Sequence, residues 1–216
     1  MTHGPAGFTH RFEPAAPDVP LTVLLLHGTG GDEHDLIDLG RAVAPGAALL
    51  SPRGQVLEGG MPRFFRRLAP GVFDEGDLIR RTHELADFVE SACAAYGRDP
   101  ARVVAVGYSN GANIAAAVLL LRPRTLAAAA LLRPMLPLRP PSVPDLRGRP
   151  VLIAGGLNDP LVPRARTDEL VDVLRQAGAE VTVSWRPGGH GLTPDDIAVT
   201  ADWLARQSAG RASVTE

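Results

Sequence analysis

Lysine is absent from this chain: all 22 basic residues are arginine. That excludes the Ser–Lys dyad and the lysine Schiff base, because a guanidinium stays protonated and replaces neither. Cysteine is nearly absent. The single Cys93 rules out an internal disulfide and a cysteine-held metal cluster. An excess of one charge sign is also lacking, the net value being −2, so there is no electrostatic footprint for nucleic acid or an anionic membrane. No apolar run approaches the roughly 20 residues that cross a bilayer. Met1–Glu13 has no basic stretch followed by an apolar one, so no secretory leader is expected and the cytoplasm is the default location. What is present is an ordinary globular composition, 45% hydrophobic and 21% charged over 216 residues, which suits one domain spanning 1–216 with a full core.

Short apolar runs alternate with helical segments. Leu21–Leu26, Ala47–Ser51, Arg102–Val106, Leu126–Leu132, Val151–Gly155 and Val181–Arg186 read as strands. Gly76–Tyr96, the run from Asn113, Arg164–Ala177 and a segment opened by Thr193 and Pro194 read as helices, with Asp195 and Asp196 near the positive end of the last. Asp32 is placed to cap a helix through Leu39–Val43, and Pro52 to cut off the second strand. Arg53–Asp74 is expected to be a long irregular loop, and Arg133–Pro150, with six prolines, a surface excursion. The alternation predicts an α/β fold, a mostly parallel central sheet flanked by helices.

One pentapeptide stands out, Gly107-Tyr108-Ser109-Asn110-Gly111, between a β-branched run and an alanine-rich helix. A serine on so tight a strand-to-helix turn is forced into a strained backbone, with its hydroxyl pushed out above the sheet at a helix N-terminus. Glycines two before and two after leave room for close packing. The arrangement is the nucleophile elbow of α/β-hydrolases.

A serine hydroxyl needs a base. His190, flanked by glycines in the loop after the last strand, is the candidate, and Asp159, after the preceding strand, is placed to orient it. The order Ser109, Asp159, His190 is that of α/β-hydrolases, and all three sit at C-terminal strand ends, where parallel sheets open their crevices. Asp168 and Asp172 fall inside a helix and suit the role less well. The backbone N–H groups of Thr29 and Asn110 are the candidate oxyanion donors. His27 reads as structural, bonding loop backbone near the site. Asp32, Glu33, His34, Asp35 and Asp38 lack the spacing of zinc ligands and read as a solvated helix start, so no metal is expected. His83 and Cys93 read as surface and core residues.

On Leu26–Gly31, Gly107–Gly111, Gly155–Pro163 and Gly189–Gly191, nearly the whole chain resembles the phospholipase/carboxylesterase family of α/β-hydrolases, which includes bacterial carboxylesterases and acyl-protein thioesterases. The resemblance implies a compact single-domain hydrolase without a large cap domain or cofactor, often a homodimer, cleaving carboxylic ester or thioester bonds of small molecules. Ser51–Gly54, Arg63–Arg67 and Gly71–Asp74 are more narrowly similar to bacterial hydrolases associated with quinone or copper stress. Dienelactone hydrolases share the fold but carry cysteine at the elbow, against which Ser109 argues. A peptidase would need an accessory domain to position its substrate. A non-catalytic hydrolase-fold binding protein generally lacks part of the triad. Phe64, Phe65 and Phe73, with Met61, are expected to wall an acyl or aryl pocket, the alternative being an aromatic anchor for the loop. Arg63 offers a partner for a substrate carboxylate or a surface ion pair.

Overall fold

The computed structural model describes residues 7–212; residues 1–6, part of the N-terminal stretch Met1–Glu13 read above, and 213–216 lie outside it. The apolar runs become the strands β2 (Thr22–Leu26), β3 (Ala48–Pro52), β8 (Val103–Tyr108), β9 (Ala128–Leu132), β10 (Pro150–Gly156) and β11 (Glu180–Arg186), and with β1 (His10–Glu13) they form one seven-stranded sheet. The order is β1-β3-β2-β8-β9-β10-β11, all parallel except the β1–β3 pair. Every residue of β2 is buried, because both faces of the sheet are covered. Leu24 and Leu26 pack with α2 (Glu75–Ala95), α3 (Asn110–Leu121) and α4 (Arg164–Gln176). Val23 and Leu25 pack on the other face with α1 (Ile37–Val43) and α5 (Pro194–Ala212). Among the described residues the predicted architecture is the observed one, a mostly parallel sheet between five α-helices.

The chain runs from β2 outward to β3, then returns to lay β8 on the other side of β2. Where strand order reverses in this way, the loops at the C-terminal ends part and leave a crevice. Leu26, which ends β2, is in register with Gly107 of β8, so the segments that follow them, His27–Gly31 and Tyr108–Ser109, leave the sheet side by side.

Several local expectations need correction. Asp32 does not cap α1: its Oδ1 accepts from His34 N at 2.8 Å, and the residue before the helix is Leu36. Pro52 does end β3, as its last ladder position opposite His10, where a missing N–H is tolerated. Arg53–Asp74 is not irregular. It holds two small hairpins, β4 (Val56–Glu58) with β5 (Met61–Arg63) and β6 (Arg67–Ala69) with β7 (Val72–Phe73). The turn of the first is Gly59–Gly60, both at positive φ (58° and 85°), as a two-residue hairpin turn matching strand twist requires. The excursion after β9 is buried through Leu138. There Pro134 O accepts from Thr167 Oγ1 and Met135 N donates to Asn113 Oδ1, so the prolines shape an internal crossing.

Helix α3 is apolar almost all round and buried from Asn110 to Leu120, so small side chains let it sit close to the sheet. The closest approach is at Gly111, where a Cβ would lie 1.9 Å from Leu26 O and 2.6 Å from His27 O. Both are backbone atoms that cannot swing away. Gly111→Ala is expected to destabilise the fold by at least about 3 kcal/mol, the upper range of overpacked cores, as measured by urea unfolding.

Candidate active site

Ser109 lies between β8 and α3 with φ 53° and ψ −112°, a conformation that costs a side-chain-bearing residue about 1–3 kcal/mol and persists only when its surroundings enforce it. The enforcement is visible. Ser109 N donates to Leu132 O at 2.9 Å, and Ser109 O accepts from Asn113 N at 3.0 Å. Gly107 allows the return of the helix: a Cβ there would stand 2.6 Å from Gly111 O.

The Ser109 Oγ lies 2.8 Å from His190 Nε2, and His190 Nδ1 lies 2.8 Å from Asp159 Oδ2. An ionised carboxylate only accepts, so Nδ1 carries the ring proton and Nε2 is left free to accept from the serine hydroxyl. The Asp159 side chain is 2% exposed. Its other oxygen, Oδ1, accepts from Leu161 N at 2.8 Å and Val162 N at 3.0 Å, which fixes the carboxylate plane. Asp159 thus both holds its own turn and faces the imidazole. Asp168 is paired with Arg164 on α4, and Asp172 is exposed on the same helix.

The His27–Gly31 turn forms the opposite side of the crevice. A Cβ on Gly28 would come within 2.9 Å of the Tyr108 ring and 3.7 Å of Ser109 Cβ. Among the described residues no acceptor faces the N–H of Thr29 or of Asn110, the latter being the first residue of α3 and so free of an intrahelical bond. His27 is buried, 1% exposed. It donates from Nδ1 to Gly28 O at 2.6 Å and accepts Gly54 N–H on Nε2 at 2.9 Å, the structural role read from sequence. Burial pushes this imidazole below the ordinary 6.5, against the upward pull of the Gly28 carbonyl and the Asp35, Asp32 and Glu33 carboxylates.

The hairpin segment is pinned to this turn and to the elbow. Gly30 N donates to Pro62 O at 2.9 Å, Arg63 Nη1 to Thr29 Oγ1 at 2.6 Å, and Phe64 N to Asn110 Oδ1 at 2.8 Å. The rings expected to wall a pocket lie against the core in this structure. Phe64 and Phe65 are 2% and 0% exposed and belong to the core under α2 and α3; Phe64 packs on the His27 ring at 4.6 Å. Phe73, half-buried, meets Phe65 edge-on at 5.0 Å. They are the anchor, because the hairpins need an apolar root. Arg63 is buried rather than at the surface, 3.3 Å from Glu58 and donating to Phe65 O. Met61 is the half-exposed residue that lies against Gly30.

A cleft of about 280 Å³ opens beside the elbow, lined by Gly28, Thr29, Gly31, Leu36, Tyr108 and Leu192 among others. A larger cavity of about 870 Å³ is lined by Leu21, Val104 and Ala128, at the opposite ends of the strands and away from Ser109. Among the described residues no group of three or more His, Cys, Asp or Glu is placed to hold a metal, and no helix is long and apolar enough to cross a membrane.

Sequence reasoning gave no part in the site to three residues around His190, namely Tyr108, Arg133 and Asp196. Burial raises the Tyr108 phenol, which stays protonated and donates to His190 O at 3.1 Å. Burial alone would raise the Asp196 carboxyl too, but hydrogen bonds from Arg133 and Thr193 outweigh it and hold the group below the usual carboxylate range. Nothing local marks Arg133, whose partners lie 21 to 63 positions away.

Residues 72–213 match the model of the dienelactone hydrolase family. The chain is 50% identical over 194 residues to MhqD of Bacillus subtilis strain 168, a protein named as a hydrolase, covering 90% of this chain and 96% of that one. The crystal structure of a Bacillus cereus carboxylesterase superposes with a TM-score of 0.90 at 46% identity, covering 94% of this chain and 95% of that one. A Mesorhizobium loti carboxylesterase gives 0.89 at 35% identity, with 95% and 97% covered.

Two outcomes follow from the geometry. Because the folded His27 value is depressed, the unfolded chain takes up its proton first on acidification. The stability His27 contributes is complete above about pH 6.5 and is lost as pH falls toward the depressed value. Urea unfolding from pH 7 to pH 5 is expected to show a steeper stability loss in the wild type than in a folded His27→Gln variant. Phe65→Ala is expected to cost about 3–5 kcal/mol and to leave the ranking of ester chain lengths unchanged. A changed ranking would return Phe65 to the pocket wall.

Proposed function

Since this chain belongs to the dienelactone hydrolase family and is a hydrolase of the phospholipase/carboxylesterase type, we propose that it cleaves carboxylic esters of small molecules through an acyl-enzyme on Ser109. Membership does not bring the cysteine chemistry with it. The expectation that Ser109 argues against a dienelactone hydrolase is corrected by the family match of residues 72–213: the serine separates the chain from the cysteine chemistry and not from the family. The observation that carries the reading is the unbroken relay from Ser109 Oγ through His190 to Asp159, with two contacts of 2.8 Å, at the crevice where β2 and β8 diverge.

In the proposed mechanism His190 Nε2 takes the Ser109 proton as Oγ attacks the ester carbonyl carbon. The carbonyl π pair moves onto oxygen, and the resulting oxyanion accepts from Thr29 N–H and Asn110 N–H, each worth about 3 kcal/mol when aligned. Asp159 keeps the imidazole in the required tautomer and stabilises the imidazolium. Collapse of the intermediate breaks the ester C–O bond, and His190 gives its proton to the departing alkoxide. Water then attacks the acyl-enzyme with His190 again as base, releasing the acid and restoring Ser109. The modest cleft beside the elbow suits short acyl or alcohol groups.

Ser109→Ala is expected to lower kcat for short p-nitrophenyl esters by at least about 10⁴-fold with its melting temperature unchanged, and to stop labelling by a fluorophosphonate probe. Persistent hydrolysis in that variant would refute the assignment. Absence of labelling in the wild type would favour a ligand-binding module. Faster turnover of acyl thioesters than of matched oxygen esters would shift the substrate class.

A further inference from the structure

The loop that carries His190 has no regular structure of its own, lying between the end of β11 at Arg186 and the start of α5 at Pro194. Such loops are the easily opened part of a fold unless their backbone is held. Here three consecutive carbonyls are held. Gly189 O accepts from Arg133 Nε at 3.0 Å, His190 O from the Tyr108 hydroxyl at 3.1 Å, and Gly191 O from Arg133 Nη2 at 3.1 Å.

Arg133 is itself locked. Its Nη1 and Nη2 meet Asp196 Oδ1 and Oδ2 at 2.9 and 2.7 Å, Nη1 also reaches Ala154 O at 3.3 Å, and both side chains of the pair are 0% exposed. Together these contacts match the five N–H groups of a guanidinium. Asp196 in turn accepts from Thr193 N and Oγ1, both at 2.8 Å, which ties the pair to the first turn of α5. Arg133 sits just past β9 at φ 56°, a left-handed backbone that a residue with a Cβ adopts only where its surroundings require it. An ion pair serving only to seat α5 would need the two contacts to Asp196 and no more. Of the three remaining contacts one goes to Ala154 O and two to Gly189 O and Gly191 O, the residues flanking His190, and a lysine ammonium at this position could not span the carboxylate and both flanking carbonyls.

We propose that Arg133, seated on Asp196 and assisted by Tyr108, is the positioning residue that sets the His190 ring between Ser109 and Asp159. The inference rests on the reading of His190 as the base. It predicts that loosening the Arg133 contacts lowers the rate without weakening substrate binding, because the base is displaced while the cleft, which Arg133 does not line, is left as it was.

The test measures kcat and KM for a short p-nitrophenyl ester, per site titrated with a fluorophosphonate, in Arg133→Lys and Tyr108→Phe, with melting curves to establish folding. Arg133→Lys keeps the charge beside Asp196 but loses the span. Its kcat and kcat/KM are expected to fall together by about 10–100-fold, with KM nearly unchanged. Tyr108→Phe is expected to lose about fivefold, the worth of one hydrogen bond. Folded variants with full kcat per titrated site, even at a lowered melting temperature, would make the pair a structural anchor only and overturn the proposal. Should Arg133→Lys not fold, Tyr108→Phe decides alone by the same criterion. Wild-type turnover in His190→Ala would remove the premise and the inference with it, a failure distinct from full activity in the two positioning variants.

Discussion

The contact between Gly111 and the Leu26 carbonyl is the constraint from which the rest of the site follows. Only a residue without a Cβ lets α3 lie so close to the end of β2, and that closeness brings the first free N–H of the helix beside the turn that leaves β2. Ser109 is then left where the chain must reverse in one residue, and its backbone takes the strained value the reversal demands. The strain is held by ladder-like bonds to Leu132 and Asn113 on two neighbouring elements. A buried, small-residue helix next to a parallel sheet is thus what makes the exposed hydroxyl possible.

The two halves of the relay are positioned by different means. Ser109 and Asp159 are held by backbone geometry, the first by a strand-to-helix turn and the second by N–H groups of its own loop. His190 has neither, and its loop is oriented by side chains reaching in from β8 and from the residue after β9.

Much of this was legible in the residues. The β-branched runs and the glycine pentapeptide are short-range signals, and the six parallel strands and the elbow could be read from them, while the order of serine, aspartate and histidine at strand ends pointed to their proximity. What escaped was long-range or weakly patterned. His10–Glu13 is half-buried throughout and shows no apolar alternation, so its pairing with β3 leaves no mark. The hairpin strands are two or three residues long, too short for a period to register, although Gly59-Gly60 is a turn signal that could have found the first. Aromatic residues in a glycine-rich stretch looked like a substrate wall because sequence cannot tell an apolar residue facing a cleft from one facing the core. Arg133 was invisible because its partners come from three later segments.

The hairpin unit is rooted by buried rings and by bonds to the turn and the elbow, while Leu57, Leu68 and Val72 on its strands stand 70%, 69% and 51% exposed. Root and rim are therefore separable. Those three outward positions carry little of the burial that holds the unit, so side chains there can be exchanged with the rings beneath left in place.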